Sequence, residues 1–201
     1  LYGGPHWGGL RRRAARGARE GLEELEEAVR WLDRALDREE VLRGLLSLLL
    51  QAVEADNGSI QLLNLATKEL YIAWAEGLSD HTIRSSRRRL GEGISGRVAL
   101  QRRGEIIEGQ PTAPSQRDRT EIQSAICVPL LDGEMLLGVA NVSRDRGTES
   151  FQGEDLLTVE RVASRIAPVL ARLLEIQTYH ERALVGDLER GLERLLLMDL
   201  D

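Results

Sequence analysis

Leu22, Leu25, Val29, Leu32 and Leu36 recur at alternating steps of three and four, with Glu, Arg and Asp between them. That spacing predicts a helix over residues 14–36, either the seam of a coiled coil or an amphipathic helix packed on its own domain. Asp37 and Glu40 then stand three apart as a capping box. Val41, Leu42, Leu45, Leu46, Leu49 and Val53 extend a second, broadly apolar helix to about residue 54, where Asp56-Asn57-Gly58 breaks it. The pattern now changes to short apolar runs. Residues 59–65 and 70–75 read as two strands of a hairpin, with a polar helix over 79–89 after them. Further strands are predicted at 105–108, 124–131 and 135–142, the last two joined by the turn signal Asp132-Gly133. Pro111 and Pro114 mark an exposed loop before residue 120. From about Gly153 a long helix runs on Leu156, Val159, Val162, Ile166, Leu170 and Leu173, with Phe151 and Leu156 as a staple. Pro168 is expected to bend it. Ile176, Leu184, Leu188, Leu192 and Leu195 carry the helical pattern past what one small domain needs.

Gly91-Glu92-Gly93-Ile94-Ser95-Gly96 has the glycine spacing of a dinucleotide-binding turn, and Glu108 stands where a ribose-binding acid would sit. Such a turn must leave a buried apolar strand. The preceding Arg84-Ser85-Ser86-Arg87-Arg88-Arg89 cannot be the central strand of a parallel sheet. With Val98 the run also matches a kinase glycine loop, but that chemistry needs a downstream lysine, and Lys68 lies upstream. The remaining reading is a packing turn: Gly91 or Gly93 takes a positive φ and the turn seats a short helix, Ile94 and Val98, against a sheet.

The 201 residues suffice for one compact domain with extra helices. Apolar residues make up 42% and charged residues 30%, and the net charge of −6 argues against a dedicated nucleic-acid binder. One cysteine excludes an internal disulfide and fits a reducing, cytoplasmic setting. Twenty-seven basic residues include a single lysine, which reads as codon bias or thermal adaptation. No run is long enough for a membrane span. Neither G-x-S-x-G nor H-E-x-x-H occurs, and His6, His81 and His180 are far apart. His180-Glu181 on the last helix has the form of a phospho-acceptor pair, but its neighbours match that motif poorly. No catalytic or metal residue is assigned, and the chain is expected not to be an enzyme.

Taken in order, Ala75-Glu76-Gly77-Leu78, Leu90 to Ala99, Ser124 to Leu130, Leu137 to Val142 and Phe151 to Leu156 resemble a GAF domain over about residues 37–173. The resemblance implies an α+β fold. An antiparallel sheet of five to six strands carries helices on one side and a small-molecule pocket on the other, with long N- and C-terminal helices added. Members bind cyclic nucleotides, bilins, haem, amino acids or no known ligand. Asn141, Phe151 and Asp155 match the cyclic-nucleotide pattern, whereas Val142 and Leu156 depart from it. Cys127 has no adjacent histidine for a bilin, His81 is a weak candidate for haem, and one cysteine cannot run methionine sulfoxide reduction. The cofactor is therefore unknown.

On this resemblance and on strand alternation, Trp74, Ile94, Ser95, Val98, Glu108, Ser124, Ile126 and Asn141 are expected to line the ligand cleft. The domain expectation is a flexible leader at 1–13, a linker helix at 14–36, the GAF domain at 37–173 and a signalling helix at 174–201. The expected function is a sensory or regulatory module of a larger signalling protein. It would pair as a homodimer through its terminal helices and pass a ligand or partner event to an output domain after residue 201, such as a kinase, cyclase or phosphodiesterase. No nucleic-acid partner and no membrane segment are expected. The alternative is a ligand-free dimerisation module, its pocket filled by Ile94, Val98, Ile126 and Val128.

Overall fold

The computed structural model describes residues 26–27, 37–109, 122–145 and 147–198. The leader and most of the 14–36 helix, with its leucine seam, lie outside them. So does the loop that carries Pro111 and Pro114. In chain order the elements are α1 (Arg38–Ala52), β1 (Asn57–Asn64), β2 (Glu69–Glu76), α2 (Asp80–Ser85) and β3 (Arg87–Arg89). Then follow α3 (Gly93–Gln101), β4 (Glu105–Glu108), β5 (Ile122–Asp132), β6 (Met135–Asp145) and α4 (Gly153–Met198). The sheet is six-stranded and antiparallel, in the order β3-β2-β1-β6-β5-β4.

Local chemistry sets most boundaries. Asp37 caps α1, its Oδ1 accepting from the Glu40 N–H at 2.9 Å, and Glu39 and Glu40 sit favourably at the positive end of the helix. Asn64 Oδ1 accepts from the N–H groups of Ala66 and Thr67 and turns the chain from β1 into β2. At the head of α4, Asp155 accepts from the Gln152 N–H at 2.8 Å, and the helix runs unbroken through Pro168. β3 departs from the polar helix expected over 79–89. Its three arginines form an edge strand against Glu69–Tyr71, where Arg87 lies over the Tyr71 ring and Arg89 pairs with Glu69 at 3.6 Å. Exposed charge suits a sheet edge, which must not recruit further strands.

The two faces of the sheet carry different cores. α1 and α4 cover one face, where Leu45, Leu49, Ile60, Ile126, Ile166 and Leu170 are fully buried. On the other face α3 packs Val98 and Ala99 onto Leu70, Cys127 and Val139. Arg144 ties the first face together. Its Nη2 donates to the Val53 carbonyl at 2.6 Å and to Asp155 at 3.4 Å, its Nη1 donates to the Glu149 carbonyl, and its guanidinium lies 4.2 Å from the centre of the Phe151 ring. The Phe151 N–H donates to Ser124 Oγ at 2.9 Å. Glu26 pairs with Arg165 at 3.7 Å, which sets residues 26–27 beside α4.

Candidate ligand cleft

The glycine turn was the first candidate for chemistry, and its hydrogen bonds show what it does. Gly91 and Gly93 take φ values of 86° and 61°. The Gly91 N–H donates to the Gly96 carbonyl at 2.7 Å, the Glu92 N–H to the Arg89 carbonyl, and the Gly96 N–H to the Glu92 carbonyl. The Glu92 carboxylate accepts from the Arg89 N–H at 3.1 Å. Gly91, Glu92 and Gly96 thus spend their N–H groups inside the turn, and the Glu92 carboxylate at the start of α3 disfavours an anion there. A side chain at Gly96 would collide with the Arg89 carbonyl, so the third glycine is needed for close approach. The turn seats α3 on the sheet.

Beneath α3 and α2 lies a cleft of about 190 Å³. Its floor is the sheet face opposite α1 and α4: Ser59 and Gln61 from β1, Ile72 from β2, Ala125 from β5, Asn141 and Ser143 from β6. Thr82 borders it from α2 and Ser79 and Ser86 from the two ends of that helix, Ile94 and Ser95 from α3, Ile107 from β4, and Arg88 from β3. Gln61 Nε2 donates to Ser95 Oγ at 3.2 Å and pins α3 to the floor. Asn141 Nδ2 donates to Ser59 Oγ at 3.5 Å. Ser143 is 2% exposed, and among the described residues its Oγ has no hydrogen-bond partner.

Of the residues expected in the cleft, Ile94, Ser95 and Asn141 line it. The other five do not. Trp74 is displaced by a bulge. Leu70 and Ile72 face the cleft side, so strict alternation would send Trp74 there too, but the register shifts between Ile60 and Gln61 and Trp74 packs on the helix-covered core. Ser124 and Ile126 also belong to that core; Ala125 and Cys127 are the β5 residues on the other face. Val98 is buried on the sheet-facing side of α3, against Leu70, Cys127 and Val139, and Glu108 is exposed on the edge strand. A second bulge, between Ile122 and Ser124, turns Ile122 into the cleft. Ser143 was passed over because β6 was expected to end at Val142, three residues early.

Cys127 lies beneath α3, and burial pushes its thiol up to about 12. The protonated, enclosed thiol is a poor nucleophile. Native protein at about pH 8 is expected to resist an alkylating reagent that labels it fully after denaturation; complete labelling of the native chain would contradict this burial. Beside it, Arg97 and Glu105 form a two-point ion pair at 2.7 and 2.9 Å, which holds the Glu105 carboxyl below its ordinary range. His81 is exposed on α2 and borders a shallow depression apart from the cleft. Among the described residues no group of His, Cys, Asp and Glu is placed to hold a metal ion, and no helix is long and apolar enough to cross a membrane.

The family model for the GAF domain matches residues 37–170. No curated protein sequence matches the chain. Among solved structures, the chain is similar to the GAF domain of a phosphoenolpyruvate-protein phosphotransferase from Coxiella burnetii, with TM-score 0.67 and 19% identity over 81% of this chain and 99% of that one. It is also similar to free methionine-R-sulfoxide reductase from Neisseria meningitidis in complex with its substrate (TM-score 0.64, 18% identity, 81% and 95% covered). A third is the domain of a protein assigned as a two-component sensor histidine kinase from Sinorhizobium meliloti (TM-score 0.57, 18% identity, 73% and 99% covered). At such identities the likeness is one of fold.

Proposed function

This chain belongs to the GAF domain family, and from that premise we propose that it is a sensory or regulatory module of a larger signalling protein. A small molecule in the cleft changes how α2 and α3 sit on the sheet. The change passes through the sheet to α4, whose 46 residues continue well beyond the core that ends near Leu173. The observation that carries this reading is the cleft itself, open at about 190 Å³ with the buried Ser143 hydroxyl unpartnered at its floor. A buried hydroxyl without a partner costs about 1–3 kcal/mol, which a ligand atom would recover. The ligand-free alternative needs the cleft filled by Ile94, Val98, Ile126 and Val128. Of these only Ile94 borders it.

The module acts without catalysis of its own; its one cysteine is buried and protonated. The Glu26–Arg165 pair supports terminal helices lying side by side in one chain, and two chains would complete a four-helix bundle beside the output domain. A reducing cytoplasmic setting fits the single thiol. Native mass spectrometry of the purified chain tests the whole reading. The expected species is a dimer of the 22.4 kDa chain carrying a small-molecule adduct. A dimer with no adduct would favour the ligand-free module, and a bare monomer would overturn both.

A further inference from the structure

We propose that the floor of the cleft binds the head of a small uncharged molecule, a primary carboxamide on an aliphatic body, through Asn141, Ser143 and Ser59. This rests on the cleft being a ligand site and names what enters it. The three side chains lie together on the sheet. Asn141 stands opposite Ser59 in the β1–β6 pairing, and Ser143 follows two residues on, on the same face. The Asn141 carboxamide gives one N–H to Ser59 Oγ and is partly exposed. Its second N–H and its Oδ1 remain, among the described residues, for a ligand. Ser143 adds a buried hydroxyl, unpartnered among the described residues, that can donate or accept. The floor thus offers donors and acceptors side by side. A carboxylate brings only acceptors and an ammonium only donors, whereas a carboxamide brings both, in the form Asn141 itself presents.

The charges around that floor are matched within the protein. Across the strands Cys127 stands beside Asn141, and Asn57 and Ala125 beside Ser143, all uncharged. Glu105, opposite Cys127, is held by Arg97. Asp145, two residues beyond Ser143, accepts from Asn57 Nδ2 at 2.8 Å. Arg88 at the rim is engaged as well, its Nη1 donating to the Arg87 carbonyl at 2.7 Å. An ionic head group would shed its water here and find the counter-charges already taken. Ile72, Ile94 and Ile107 give the body of the ligand aliphatic walls, and the small Ala125 leaves room above the floor. The cleft of about 190 Å³ falls below the range of about 300–1,000 Å³ that holds drug-sized ligands, so its occupant is smaller than a nucleotide or a tetrapyrrole.

Isothermal titration of the full chain with hexanamide, hexanoate and hexylamine tests the assignment. At about pH 7 the second is an anion and the third a cation. Hexanamide should bind about tenfold or more tightly than either ion. Asn141→Asp keeps the shape of the side chain but removes its donors and adds a negative charge. It should weaken hexanamide by about tenfold and make hexylamine the tightest of the three. Ser143→Ala should weaken hexanamide by about threefold. Melting curves establish that each variant is folded, and the wild-type series decides the matter alone if Asn141→Asp does not fold. Either ion binding the wild type as tightly as hexanamide, or affinities untouched by both substitutions, would overturn the proposal. If none of the three binds, an adduct retained in native mass spectrometry overturns the carboxamide assignment alone, and its absence overturns the ligand-site reading with it.

Discussion

Gly138→Ala is expected to remove about 3 kcal/mol of stability and to lower the melting temperature by roughly 6–12 °C. Gly138 lies in β6, between Leu62 of β1 and Leu130 of β5. A side chain there would run into the Gln61 carbonyl and lie 2.9 Å from the Leu62 Cα. Both obstacles are backbone in the middle of the sheet, so neither can swing aside. Relief requires prising β1 from β6, and the two cores lean on that seam from opposite faces. Gly153→Ala is the control. Nothing lies within 4 Å of a Cβ at that position, in the first turn of α4, so the change should be neutral or slightly stabilising. Urea denaturation of the two variants checks the pair. Equal midpoints would show that the β1–β6 seam has slack these contacts deny.

The second large effect is expected at Phe151. Its ring is 1% exposed and sits between the Arg144 guanidinium and the helix-side core. Phe151→Ala should cost about 3–5 kcal/mol, from lost burial together with the cavity left behind. Arg144→Ala should also be costly, because it leaves the Val53 and Glu149 carbonyls and Asp155 without their common donor. Arg144→Lys keeps the charge but not the planar fork, so it should fall between alanine and wild type. The two sites touch, so the double variant should lose less than the sum of the singles. Strict additivity in denaturant titrations would argue against the ring and the guanidinium acting as a unit.

The sequence declared the fold more fully than the site. Asp37 with Glu40, and Asp132-Gly133 between two apolar runs, are local signals whose geometry follows from a few bonds. The cleft depends on which face each strand residue takes, and a single bulge reverses that. Trp74 was lost to such a shift, and Ile122 gained by another. In β5 the bulky alternate set Ile126, Val128 and Leu130 faces the helices, where there is more volume to fill, and the small Ala125 faces the cleft. Alternation shows that two sets exist but does not name their faces. The glycine turn gives the converse lesson. Positive φ at Gly91 and Gly93 was readable, and alanine there should cost about 1 kcal/mol. The tighter constraints at Gly96 and Gly138 come from neighbours that meet only in three dimensions.

The strand order also says how such a chain must assemble. β1, β2 and β3 lie together at one end of the sheet, and β6, β5 and β4 mirror them at the other. Within each half the neighbours are close in sequence and their loops close cheaply. The halves meet along one line, where residues 57–62 pair with 138–143, and the loop that closes it contains most of the domain. Hairpins can therefore form early, while the joining of the halves carries the entropic cost that sets the folding rate. Until that line closes, β1 and β6 are both unpaired edges. The stretch of chain that most needs protection during synthesis is the one that ends up deepest in the sheet.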